Sequence, residues 1–279
     1  MFDVKFLCTF DQINGAKDID IRIEQRLDNR AAHVHLGSMV ADIVRSFRFE
    51  DISDLRIADV NILGSINLIE CAKEFNVKHF VYISSGGAAY GEPERVPCVE
   101  TDPINPICQY GASKHTVEHY LYMYHFNYGM NYTVLRYPNV FGPRQDPHGE
   151  AGVVAIFTGK MLLGEPVTIN GDGEQTRDYV FVGECAYANY LAVTIDHPSG
   201  VYNLGWGRPT SVNQIFTNLA VITEYKLPAN YGPAKVGETR HIYLDASKAK
   251  KGLGWAPTKT LEEGLRETVE YFKASEKAM

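Results

Sequence analysis

Residues 79–87 read His-Phe-Val-Tyr-Ile-Ser-Ser-Gly-Gly, and residues 110–114 read Tyr-Gly-Ala-Ser-Lys. The first stretch is a short apolar run closed by two serines and two glycines. A run of that length ending in a turn signal predicts a strand buried on both faces, as in a parallel sheet. The second stretch opens a helix predicted over Tyr110–Tyr128 and stopped by Gly129. The same rhythm continues on either side. Val60–Phe75 places Ile62, Ile66, Ile69 and the stem of Lys73 on one helical face, with Leu63 beside them. Asn131–Arg136 is the next strand, and His33–Leu36 is a short strand candidate. This alternation predicts an α/β protein built on a doubly wound parallel sheet.

The bulk numbers bound the function. The chain has 279 residues, 45% hydrophobic and 22% charged, which is enough for a sizeable core in one large or two small domains. A net charge of -7 argues against nucleic acid or an anionic membrane as partner. No apolar run reaches the length of a membrane span, and the N-terminus has no signal-peptide pattern. The five cysteines, at 8, 71, 98, 108 and 185, are scattered and form no C-x-x-C. A disulfide framework and a zinc site are therefore not expected, and a reducing cytoplasm is the expected compartment.

The second half mixes loops with marked helices. Ser211 with Gln214, and Thr260 with Glu263, have the spacing of capping boxes. The segment Phe141–Gly152 is rich in Pro, Gly and charge, so a smaller lobe is expected to begin there. The predicted division is residues 1–140 and 141–279, with about 178–205, including a strand at Val201–Leu204, returning to the main sheet.

On a helix, Tyr110 and Lys114 lie one turn apart on the same face. An ammonium near a phenol favours the phenolate and prepares it for proton transfer. Ser84 or Ser85, at the end of the preceding strand, adds a hydroxyl that can bond a sugar oxygen. Tyr-x-x-x-Lys alone is common by chance. Its place after a strand ending Ser-Ser-Gly-Gly, and before one running into Arg136-Tyr137-Pro138-Asn139, is what makes it informative.

Seven stretches carry a resemblance: "NILGSINLIECA" (61–72), "VYISSGGAAYGE" (81–92), "PINPICQYGASKHTVEHY" (103–120), "LRYPNVFGPRQDP" (135–147), "GDGEQTRDYVFV" (171–182), "VYNLG" (201–205) and "DASKAKKGLGW" (245–255). In this order they resemble the extended short-chain dehydrogenase/reductases, and within them the NAD-dependent nucleotide-sugar epimerases typified by UDP-glucose 4-epimerase. The resemblance runs from about residue 33 to the C-terminus. It implies a Rossmann-like sheet with a smaller C-terminal substrate lobe, NAD as cofactor, a UDP-sugar as substrate, and a homodimer formed through the helices at 58–75 and 110–128.

The resemblance also implies roles. Tyr110 would be the acid/base, Lys114 would hold the nicotinamide ribose, and Ser85 would bond the sugar 4-hydroxyl. Leu36, Gly37, Ser38, Asn61, Ser84, Tyr137 and Pro138 would contact or flank the cofactor. Asn139, Arg177, Lys235 and Glu238 would bind the nucleotide, Arg177 with a planar fork suited to phosphate oxygens. Many relatives carry Arg at the position of Lys235. Ile242 would lie near the pocket wall that faces C2 of the sugar. The implied reaction is epimerisation at C4 of a UDP-hexose, either UDP-glucose/UDP-galactose or the N-acetyl forms.

One part of the family pattern is absent. The family opens with a strand, a Gly-x-x-Gly-x-x-Gly turn and a helix whose N-terminus meets the pyrophosphate. Here the only glycine before Gly37 is Gly15. About one strand–turn–helix unit is missing from the pattern. "DVKFLC" (3–8) and "DIDIRIE" (18–24) are strand candidates whose place in the sheet stays open. Hydrogen bonds to a charged group are worth ~1.5–3 kcal/mol each, so losing two or three predicts NAD affinity lower by on the order of a thousandfold. A sheet without its central strand would also expose an apolar edge and leave the chain marginally stable.

Two rival readings follow: a family member that binds nucleotide sugar or dimerises without turnover, and a nucleotide-sugar 4,6-dehydratase or reductase. Dehydratases of this kind carry an Asp-Glu pair after the active-site Ser/Thr, where this chain has Gly86-Gly87. "HTVEH" (115–119) spells the H-x-x-E-H of inverted zinc proteases. Its histidines point away from Tyr110 and Lys114 on a helix, so no metal is expected there.

Overall fold

The computed structural model describes residues 5–8, 22–24, 57–147, 152–235 and 237–276. Leu36, Gly37, Ser38, the strand candidate at 33–36 and the stretch around Gly15 lie outside the described residues. The strands are β1 (Lys5–Cys8), β2 (Arg22–Glu24), β3 (His79–Ser85), β4 (Asn131–Tyr137), β5 (Asn139–Phe141), β6 (Thr168–Asn170), β7 (Thr176–Arg177), β8 (Tyr179–Phe181), β9 (Gly200–Asn203), β10 (Thr210–Ser211) and β11 (Asn230–Gly232). The helices are α1 (Ser65–Glu74), α2 (Gly86–Ala89), α3 (Gln109–Tyr128), α4 (Val153–Leu162), α5 (Val182–Thr194), α6 (Val212–Thr223), α7 (Ser247–Leu253) and α8 (Leu261–Glu276). A π-helical stretch, Asp59–Gly64, runs directly into α1.

The main sheet has the order β2-β1-β3-β4-β9. Strands β1, β3, β4 and β9 are parallel, and β2, the outermost strand on its side among the described residues, pairs antiparallel with β1. Strand β9 pairs with β4 in this sheet. Both N-terminal strand candidates are in the sheet, and β1 lies directly beside β3. Lys5–Cys8 pairs with His79–Tyr82 of β3.

Alternation along β3 sends Phe80 and Tyr82 to one face and Val81 and Ile83 to the other. On the first face they pack with Leu68, Ile69 and Ala72 of α1 and Val117, Leu121 and Tyr124 of α3. On the second face Val81, Ile83 and Leu135 pack with Cys185, Ala188 and Leu191 of α5 and with Trp255 after α7. Apolar residues on both faces of one strand demand helices on both sides, which makes the sheet doubly wound. A third core joins Val154, Phe157 and Met161 of α4 to Ile215 and Leu219 of α6 and Leu265 and Val269 of α8. Its residues all come from the chain after β4.

The helix ends follow their caps. Gly129 takes φ 68° at the end of α3, a left-handed turn that a side chain resists. Ser211 and Gln214 form the predicted capping box of α6, and Thr260 and Glu263 exchange the same pair of bonds before α8. The buried face of the helix before β3 differs from expectation. Ser65, Leu68, Ile69 and Ala72 face the core, while Ile62 and Ile66 are only half-buried and Leu63 is exposed. The π-helical stretch adds a residue to the turn, which shifts the phase of everything read through it at 3.6 residues.

Candidate active site

The C-terminal ends of β3 and β4 open into a cleft of about 1000 Å³. Parallel sheets place ligands at that end, where the strands give way to loops. The cleft is lined by Ser84 and Ser85 from β3, Tyr110 from the first turn of α3, and Tyr137, Pro138 and Asn139 from the β4–β5 junction. Arg177 of β7 closes the far side with Tyr179 and Phe181 of β8. The volume is at the upper end of small-molecule sites.

Lys114 is 1% exposed, and its Nζ donates to the carbonyl of Ile83 at 3.0 Å. The same ammonium sits 5.8 Å from the Tyr110 ring centroid and 5.3 Å from that of Tyr82. The helical spacing thus brings phenol and ammonium together under the end of β3. Asn61, from the π-helical stretch, donates to Ser113 Oγ at 2.9 Å, and Ser113 Oγ donates to the carbonyl of Tyr110 at 2.8 Å. Asn61 therefore braces the turn that carries Tyr110. The helix also approaches α2 closely: a Cβ on Gly111 would lie 2.3 Å from the Ala88 carbonyl oxygen.

The Tyr137 hydroxyl donates to Asn189 Oδ1 at 2.8 Å, which fixes its ring against α5. Arg177 Nη2 donates to Glu238 at 3.1 Å, so these two sequence-predicted residues meet. Lys235 is exposed on the same loop. Ile242 is 2% exposed and packs with Tyr90, Cys98 and Leu244.

Three features escaped the sequence reading. Asp178 is 2% exposed, and its carboxylate accepts from the backbone N–H of Trp206 (2.9 Å), Gly207 (3.0 Å) and Leu244 (3.2 Å). Its own carbonyl accepts from Asn139 N at 2.9 Å. One residue therefore ties the Asn139 side of the cleft to the loop after β9 and to the Leu244 segment. Burial pushes the Asp178 pKa up to about 6, against the pull of the three donors.

The second feature is an ion pair between Glu118 of α3 and Arg136 of β4, only 5% and 3% exposed. Burial works to raise the Glu118 pKa, but bonds from His115 and Arg136 and the guanidinium charge hold it below the ordinary range. The spacing 110–114–118 was the available signal, since it continues the Tyr–Lys stripe by one turn. The third is Tyr90, whose hydroxyl accepts from Arg136.

The "HTVEH" residues also find partners. His115 Nδ1 and Glu118 Oε2 are 3.1 Å apart, and His119 Nε2 and His115 Nε2 are 3.1 Å apart. A carboxylate only accepts, so neutral His115 carries its proton on Nδ1 and accepts at Nε2 from His119.

The sequence pattern of the NAD dependent epimerase/dehydratase family matches residues 18–205. A UDP-glucose 4-epimerase of Mycolicibacterium smegmatis is 41% identical over 219 residues, covering 77% of this chain and 69% of that protein. Among solved structures, the UDP-glucose 4-epimerase of Thermotoga maritima with UDP-glucose is 49% identical with a TM-score of 0.78, covering 85% of this chain and 74% of that one. That of Thermus thermophilus in complex with NAD is 40% identical with a TM-score of 0.73, covering 78% of this chain and 71% of that one.

Proposed function

The chain belongs to the NAD dependent epimerase/dehydratase family, and from that premise we propose that it epimerises a UDP-hexose at C4 with NAD as cofactor. The observation that carries the reading is the convergence of Ser85, Tyr110, Tyr137, Asn139 and Arg177 on one cleft, with the Lys114 ammonium beneath Tyr110.

The residues present suit the nicotinamide half of the cofactor. The buried Lys114 ammonium would hold a ribose hydroxyl, and Tyr137 and Pro138, which line the cleft, would supply a wall beside the ring. When bound, NAD supplies the hydride chemistry that side chains lack. The chain's own residues handle protons and position. Tyr110 takes the proton of the sugar 4-hydroxyl and returns one when the hydroxyl is restored. Lys114 favours the phenolate throughout. Ser85 holds the sugar oxygen in line with Tyr110. Arg177 and Asn139 anchor the diphosphate, so the sugar can present either face while the nucleotide stays fixed. Lys235 and Glu238 complete the nucleotide contacts.

A 4,6-dehydratase is disfavoured by packing as well as by residue type. A Cβ on Gly86 would lie 2.4 Å from a Leu244 methyl, and one on Gly87 would lie 3.3 Å from Asn139 Oδ1. An acidic pair there would have to displace the buried Leu244 side chain and crowd the Asn139 amide. The second reading is nucleotide-sugar binding without turnover. The exposed stripe of Tyr122, Met123 and Phe126 on α3, beside Leu63 and Phe75, suits a second copy of the chain, so we assign a homodimer through that face.

The test measures acid-released NAD(H) per chain together with conversion of UDP-galactose to UDP-glucose, for the parent and for Tyr110→Phe. The reading expects turnover in the parent and a loss of ~100-fold or more in the variant, the usual scale of a missing acid/base. A parent that binds UDP but neither holds NAD nor turns over supports the second reading. Equal turnover in parent and variant refutes the role of Tyr110.

A further inference from the structure

We infer that Arg136 is the positioning residue of this site: one buried guanidinium holds together the three segments that carry Tyr110 and Lys114, Ser84 and Ser85, and Tyr137. The inference rests on the reaction proposed above and adds a residue to it.

Arg136 lies on β4 immediately before Tyr137 and stands in register with Ser84 on β3. Its fork has two destinations. Nε and Nη2 donate to the two carboxylate oxygens of Glu118, at 3.0 and 2.6 Å. Glu118 is one turn beyond Lys114 and two beyond Tyr110, so this bond fixes the rotation and height of α3 against the sheet. Nη1 donates to the Tyr90 hydroxyl at 2.7 Å. Tyr90 directly follows α2, the short helix that begins one residue after Ser85. That hydroxyl faces Asn203 Oδ1 at 2.9 Å and the Val99 carbonyl at 3.1 Å, which extends the tie to β9. The guanidinium carbon also lies 5.1 Å from the Tyr90 ring centroid.

A buried ion pair is a weak source of net stability, because desolvation offsets the attraction. What this pair adds is geometry. Its bonds run to different elements of one active site, and only a planar fork satisfies both directions at once. A lysine keeps the charge but reaches one partner. On the outer side, His115 completes the hydrogen bonding of Glu118, so the carboxylate is held from both helix and strand.

The test compares the parent with Arg136→Lys, Glu118→Gln and the double variant Arg136→Met/Glu118→Met, all as full chains supplied with NAD. The double variant leaves no charge buried unpaired, so it is the one that keeps stability near the parent's. The readouts are kcat and KM, UDP affinity by calorimetry, melting temperature, and amide hydrogen exchange over residues 86–90 and 109–118. The expected result is kcat lower by about tenfold or more in each variant, with KM and UDP affinity within about threefold, since misplacement acts on the chemical step. Exchange in both segments rises in parallel, including in the double variant with its near-parental melting temperature. Parental kcat and exchange in Arg136→Lys, or restored kcat in the double variant, overturns the inference. If the parent shows no turnover, the reaction has failed, and the exchange measurement alone decides the role of Arg136.

Discussion

Replacing Asp178 with alanine removes the acceptor shared by Trp206, Gly207 and Leu244 N–H. A buried donor left without a partner costs ~1–3 kcal/mol. Water entering the vacated space recovers part of that, so three orphaned donors sum to about 3–5 kcal/mol. For 279 residues, an unfolding entropy near ~2.1 cal/mol/K per residue makes each kcal/mol worth roughly 1.7 °C. Asp178→Ala should therefore melt about 5–8 °C below the parent by circular dichroism at about pH 7.5. A shift under about 1 °C would refute the reasoning, since exposed substitutions commonly do as little. The pH dependence tests the same group independently. Burial raises the folded pKa to about 6, above the unfolded value. The folded state then binds the extra proton, and the proton-linked part of the parent's stability, separate from the acceptor role lost in the Ala variant, is full below the unfolded pKa and lost as pH rises through about 6. Asp178→Asn keeps the shape and cannot titrate. The stability gap between parent and Asn variant should narrow between about pH 4.5 and 7.5, by about 2–3 kcal/mol at most. A gap that widens would mean that the three N–H donors outweigh burial.

Other expectations concern the cleft and the outer helix face. Gly111→Ala forces α3 away from the Ala88 carbonyl, and a displacement of about 1 Å should lower kcat by up to ~100-fold while UDP affinity by calorimetry stays unchanged. Arg177→Leu should weaken UDP by about 10- to 100-fold, the scale of one charge-assisted phosphate contact; unaltered affinity would move the nucleotide site elsewhere. Phe126, 77% exposed on α3, should carry the dimer contact. Phe126→Glu should then give monomers in sedimentation at concentrations where the parent is dimeric, and a parent already monomeric would sink the assignment.

The parts legible in the sequence were those fixed by local rules. The apolar run of β3, the glycine that ends α3 and both capping boxes read directly because each depends on residues within a few positions. The closeness of Tyr110 and Lys114 read for the same reason. The features that escaped are non-local. Nothing within the segment around Asp178 announces that Trp206, Gly207 and Leu244 converge on it. Arg136 meets Glu118 only because α3 docks on β4 in one register. The helix before β3 turns a different face to the core than a uniform 3.6-residue period gives, because the π-helical stretch ahead of it has a wider turn. A four-residue strand such as β1 carries too little pattern to name its partner.

The parallel pairing has a consequence for biosynthesis. Lys5 lies against His79, His79 against Asn131, and Thr133 against Gly200. Each ladder joins segments that leave the ribosome far apart in time. Strand β1 must wait for β3, and β4 is finished well before α5 emerges to cover its second face and β9 to pair with its edge. During that interval Leu135 and Ile83 face solvent on the nascent chain. Late, long-range closure of this kind is slow and exposes apolar surface to wrong partners. The yield of this protein in a cell should therefore depend on translation speed and chaperone supply more than the stability of the finished sheet would indicate.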